Sequence, residues 1–207
     1  LSPAFETAGC DTDTATQAYR GFYEILGETD TATEAAQLLA SLAESEKDVS
    51  KWVNIAAGVY GTFGDSLPIE SLIEAANETA KTGEVTGALA DALNWAKISE
   101  EDVSKQLSMM ADESDRAQYL MGLLSHTYSD AADNFYENSQ AMIEARDAQM
   151  EVDETTAALG QAVADLKNQL IDSFGPYLVE LAKAGADAIR LIADAIELVG
   201  KGLDWLL

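Results

Sequence analysis

SDAADNFYENSQAMIEARDAQMEVDETTAALGQAVADLKNQLIDSF, Ser129 to Phe174, is the stretch whose reading decides the fold. Between Gly122 and Gly160 the chain holds neither Gly nor Pro, so nothing in that interval ends a helix. A helix of about 45 residues extends ~68 Å at about 1.5 Å per residue, longer than a compact domain of this size. Its second part carries Val152, Thr156, Leu159, Val163, Leu166 and Leu170 at alternating intervals of four and three. That spacing is what coiled-coil or bundle packing requires. A rod is therefore expected from about 129 to 173.

Working outward, the rest of the chain also reads as helix. Pro occurs only at positions 3, 68 and 176, helix-forming residues are abundant, and no stretch sustains a period-two alternation of β-branched residues. Helix starts are written as capping boxes at Thr14 with Gln17, Thr31 with Glu34, Ser45 with Asp48 and Ser99 with Asp102. The expected fold is all-α, with helices over 14–26, 31–44, 46–60, 68–81, 86–97, 100–110, 113–128, 129–173 and 176–206. Gly58, Gly61, Gly64, Gly83 and Gly87 cut the first half into short helices. The expected domains are a multi-helix lobe over 1–128, then a long rod helix with an amphipathic C-terminal helix over 129–207.

SEKDVSK (Ser45 to Lys51) recurs as SEEDVSK (Ser99 to Lys105), and TDTAT occurs at Thr12 to Thr16 and at Thr29 to Thr33. Glu28 to Ala43 also loosely matches Asp112 to Thr127. These matches read either as capped helix starts converging on the same few residues or as duplication of a small helical unit.

The last helix places charges at Glu180, Lys183, Asp187, Arg190, Asp194, Glu197, Lys201 and Asp204, again at intervals of three and four. The positions between are nearly all apolar or Gly, so most of its circumference requires burial. Self-association through Ile189, Leu191, Ile192, Ile196, Val199 and Leu203 is the expectation. A membrane-surface helix is the alternative, disfavoured by five acids to three bases in the stripe.

Composition narrows the function classes. Asp and Glu number 37 against 12 Lys and Arg, for a net charge of −25, and such a surface repels phosphate backbones. One cysteine, Cys10, and one histidine, His126, exclude a disulfide framework and a Cys/His zinc site. No run reaches the ~18 apolar residues of a membrane span. The opening residues LSPAFETAG lack a basic start, an apolar core and an initiator Met, so the chain is expected to be an excised piece of something longer.

Several spellings suggest chemistry and lack the partners it needs. Gly64-Asp65-Ser66-Leu67 matches a serine-esterase signature, but the required Asp-x-x-His element is missing and Pro68 reads as a first helical turn. His126 reads as a capping residue near a helix C-terminus. Glu100-Glu101-Asp102 reads as a solvated first turn, and Gly83-x-x-x-Gly87 lacks the Lys that cradles phosphate. Trp52, Trp95, Tyr60 and Phe63 fall on apolar faces and are expected in the core. Asn77-Glu78-Thr79 is a glycosylation sequon by spelling only. No catalytic residue, cofactor or metal is expected, and no enzyme activity.

TDTATEAAQLLASL (Thr29 to Leu42), EKDVSKW (Glu46 to Trp52), GDSLPIESLIEAANETAKTG (Gly64 to Gly83), SEEDVSKQL (Ser99 to Leu107), RAQYLMGLLSHTYSDAADNFYENSQAMIEARDAQ (Arg116 to Gln149) and ALGQAVADLK (Ala158 to Lys167) together resemble the tail tape-measure proteins of long-tailed phages and prophages of gut Firmicutes. The likeness covers about two-thirds of the chain, and its specific centre is Gly64 to Gly83. The resemblance implies a structural virion component in the tail tube lumen, made in the host bacterial cytoplasm, that sets tail length and leaves at DNA ejection. It implies tail tube protein and tail assembly chaperones as partners, and host membrane contact through the apolar final helix. The competing expectation is an acidic helical protein-binding module that captures a partner on that helix.

Overall fold

The computed structural model describes residues 12–182 together with Glu197 and Lys201. The chain is all-α: no strand occurs among the described residues. Helices run over Thr12–Leu26 (α1), Thr29–Leu39 (α2), Glu46–Phe63 (α3), Ile69–Thr82 (α4), Gly87–Trp95 (α5), Glu100–Ser108 (α6) and Glu113–Ala182 (α7), with a 3-10 turn at Gly64–Ser66. Contacts divide the chain into one unit up to Asp147 and a second from Ala148.

Local chemistry accounts for four of the helix ends. Ser45 and Ser99, the first residues of the recurring SE(K/E)DVSK, cap α3 and α6 by accepting from the Asp48 and Asp102 amides at 3.3 and 3.2 Å. Val49 and Val103 then bury at equivalent places in each helix. The two TDTAT stretches likewise open α1 and α2, yet Thr14 and Thr31 do not cap. Both helices start two residues earlier, so Thr14 is buried inside α1 and the Thr31 hydroxyl donates back to the Glu28 carbonyl at 3.2 Å. α1 and α4 run into Gly27 and Gly83, both with left-handed backbone at φ 76° and 79°.

The first unit closes around Phe22, Ile25, Leu39, Trp52, Ile55, Leu72, Ile73, Leu93 and Leu107, all fully buried. At about 1.5–3 kcal/mol for each large apolar side chain removed from water, these residues dominate its stability. α1 packs on α2 and α3, α2 on α4, and α4 on α5. α7 supplies Ala117, Leu120, Met121, Leu124, Tyr128, Ala132 and Phe135 to the same core, one helical face maintained over five turns.

That face corrects the expected boundary at 129. α7 passes through Tyr128 and Ser129 without a break, and the Thr127 and Ser129 hydroxyls, in place of capping a new start, donate to the carbonyls of Leu123 and His126 in their own helix. Tyr136, Met142 and Ile143 still pack against the first unit, so its limit lies at Asp147. His126 consequently sits exposed within a continuous helix and not at a helix end, which removes its capping role. Trp52 is in the core, whereas Trp95, the last residue of α5, is 66% exposed with its ring 5.4 Å from that of Phe63.

In the second unit α7 continues to Ala182, where a helix end near 173 and a new start at 176 were expected. Val152 and Leu159 of the heptad seam are 57% and 52% exposed, and Thr156 is also exposed. Glu197 and Lys201 form an ion pair at 2.6 Å.

Candidate functional site

The polar groups of the first unit converge where α7 crosses the end of α1. Tyr128, Ala132, Phe135, Ser139, Met142 and Arg146 alternate by four and three along α7, so Arg146 lies on the helix's inward stripe. Its Nη1 donates to the carbonyls of Glu24 and Ile25 at 2.8 and 2.7 Å. These carbonyls belong to the last turn of α1, where intrahelical donors run out and the helix dipole is negative. Gly27 completes the fit, since a Cβ there would lie 2.6 Å from the Arg146 guanidinium.

Arg116, at the other end of the same helix, repeats the device. Its Nε donates to the Ala80 carbonyl, Nη2 to Lys81 at 3.1 Å and Nη1 to Met110 at 2.9 Å. α4 is thereby closed as α1 is, by an α7 arginine beside a left-handed glycine. Arg116 and Arg146 thus both satisfy carbonyls at helix ends.

Next to the Arg146 contact, α1 and α3 border a cleft of about 570 Å³ lined by Asp13, Thr16, Gln17, Arg20, Gly21, Glu24, Ser50, Val53 and Asn54. Gln17 spans it, donating from Nε2 to Ser50 Oγ at 3.2 Å. A smaller cavity of about 170 Å³ lies between α3 and α7, lined by Asn54, Tyr128 and Tyr136 among others. Burial raises the Glu24 carboxyl above the ordinary range, the Asp147 carboxylate raises it further, and Arg20 opposes both. Tyr136 donates to Asn54 Oδ1 at 3.3 Å, and burial together with the Glu24 carboxylate pushes its phenol up to about 12. Burial alone pushes Tyr128 to about 12; its hydroxyl donates to the Ala92 carbonyl at 2.7 Å.

The residues singled out from sequence are not brought together. Ser66 and Asp65 are exposed on a 3-10 turn that follows a helix, and His126 lies on the exposed side of α7. Asn77 and Thr79 of the sequon are buried in α4 at 6% and 0% exposure, so the sequon offers no accessible acceptor. Among the described residues no group of three or more His, Cys, Asp or Glu could hold a metal ion, and no helix is long and apolar enough to cross a membrane. Ile189, Leu191, Ile192, Ile196, Val199 and Leu203 lie outside the described residues. The sequence reading missed Arg146, Arg116, Glu24 and Tyr136. The available signal for Arg146 was its place on a stripe shared with Tyr128, Phe135 and Met142.

Comparison of the chain with protein-family models, with curated proteins and with solved structures finds no match.

Proposed function

We propose that this chain is a structural, non-enzymatic piece of a phage or prophage tail tape-measure protein, acting as a helical spacer. The observation that carries this reading is α7: from Ala148 it continues as helix while Val152, Thr156 and Leu159 of its seam stay exposed. A helix has a fixed rise, so a segment of this kind converts residue number into distance. The exposed seam gives neighbouring copies a surface on which to bundle. The net charge of −25 disfavours adhesion to DNA in the same lumen. The resemblance from Thr29 to Lys167 supplies the virion setting, the tube-protein and chaperone partners, and departure at ejection.

The test is an in-frame deletion within residues 148–165 of the intact phage. Tails shorter by about 1.5 Å per residue removed are expected by electron microscopy; tails of unchanged length would reject the ruler role.

A further inference from the structure

The cleft between α1 and α3 differs chemically at its two ends. Asp13, Gln17, Arg20 and Glu24 follow one another by four and three residues, so they line one face of α1 over about 16 Å. At the Glu24 end the carboxylate already has a cation, because Arg20 acts on it. At the Asp13 end the hydroxyl protons point elsewhere. Thr16 Oγ1 donates to the Thr12 carbonyl at 3.0 Å, and Ser50 Oγ donates to the Glu46 carbonyl at 3.1 Å. With the Ser50 proton taken, Gln17 must meet Ser50 through its amide NH2, at 3.2 Å, which leaves Oε1 as the other end of that amide. Gln17 Oε1 is buried and accepts from no donor. A buried acceptor left unmet is unfavourable, so this one invites a donor. The Asp13 end therefore offers acceptors: the Asp13 carboxylate, Gln17 Oε1 and the lone pairs of Thr16 and Ser50. Beyond it the floor is apolar where α1 touches α3, since a Cβ on Gly21 would lie 2.7 Å from Val53 Cγ1. The volume of about 570 Å³ is that of a small-molecule site.

We propose that the Asp13 end of this cleft binds a primary alkylammonium, whose N–H donors meet Asp13, Gln17 Oε1 and a neighbouring hydroxyl oxygen while its carbon chain lies over Gly21 and Val53. The acceptor set selects this chemistry. A neutral donor leaves the Asp13 charge unmatched, and a quaternary ammonium has no N–H to give Gln17. A divalent metal ion requires more oxygen ligands of high charge than one carboxylate and one amide provide. The head group is the same whether it belongs to a free aliphatic amine or to a lysine side chain of a protein partner. The site does not depend on the spacer role of α7.

The test is a ¹H–¹⁵N correlation titration of the full chain with n-pentylamine, N-acetyl-lysine methylamide and tetramethylammonium. Salt at about 0.1 M screens beyond ~10 Å and suppresses general attraction of cations to the net charge of −25. Saturable shifts confined to amides of residues 13–24 and 50–54 are expected with at least one primary amine. Binding of pentylamine alone marks a free amine as the source, and binding of the lysine derivative alone marks a partner's lysine. Tetramethylammonium should bind at least about tenfold more weakly. Gln17→Met, which keeps the charge, should weaken the amine by at least about tenfold, the effect of losing one hydrogen bond to a charged group. Asp13→Asn should weaken it by a similar factor. The proposal is overturned by the absence of saturable shifts, by shifts spread over the acidic surface, by equal affinity for tetramethylammonium, or by unchanged affinity in either variant.

Discussion

Arg146 Nη1 lies 2.7 Å from the carbonyl oxygen of Ile25, a residue 121 positions earlier in the chain. This single long-range hydrogen bond, with its partner to Glu24, joins the first described helix to the last and marks the point up to which α7 belongs to the first unit. A guanidinium on the carbonyls of a helix end is a charge-assisted bond reinforced by the helix dipole.

Arg146→Ala should therefore destabilise the first unit by about 1.5–3 kcal/mol, the usual range for losing hydrogen bonds to a charged group. Arg146→Lys should recover only part of this, since an ammonium lacks the planar fork. Urea denaturation followed by circular dichroism measures both. An Ala variant within about 0.5 kcal/mol of wild type would show that the bonds are exchanged for water without loss.

Glu24→Gln should stabilise the fold at neutral pH. The Glu24 carboxyl is raised in the folded state, so its proton favours folding. The contribution is complete below the unfolded-state value near 4.5 and is lost as pH rises through the folded value. The advantage of Gln over Glu should consequently be present at pH 7 and vanish by about pH 4. Thermal melts across that range check the sign, and an advantage that grows toward acid would reverse the argument.

Two glycines should respond in opposite directions to alanine. At Gly58 a Cβ would lie 2.4 Å from the Tyr128 carbonyl oxygen, where α3 and α7 touch through backbone, so Gly58→Ala must part the helices. A cost of about 2 kcal/mol or more is expected, as for other insertions into a filled core. Gly122 is also helical but has open space around its Cβ position. Gly122→Ala should stabilise by roughly 0.5–1 kcal/mol through helix propensity alone. Equal effects at the two sites would contradict the close approach of α3 and α7.

Tyr128→Phe removes a buried hydroxyl that donates to the Ala92 carbonyl and leaves that carbonyl without it. A loss of about 1–2 kcal/mol is expected by denaturant titration. Spectrophotometric titration should also find Tyr128 and Tyr136 ionising late, at about 12. In the Tyr128→Phe protein one of those late steps should disappear.

Helix signals are local, and the sequence by itself determined what local signals can. The caps at Ser45 and Ser99, the chain between Gly122 and Gly160 and the absence of strand alternation were sufficient for an all-α fold and for most helix limits, because a helix satisfies its backbone within a few residues. The misplaced caps at Thr14 and Thr31 were errors of two residues in where a helix begins. Only the tertiary structure decided where α7 stops belonging to the first unit, that Trp95 lies on the surface, and that Arg116 and Arg146 turn inward. The carbonyls those arginines satisfy are left open at the ends of other helices, and which side chain reaches them depends on how distant segments pack. An arginine on a helix reads as solvated until the helix end it covers has been put in place.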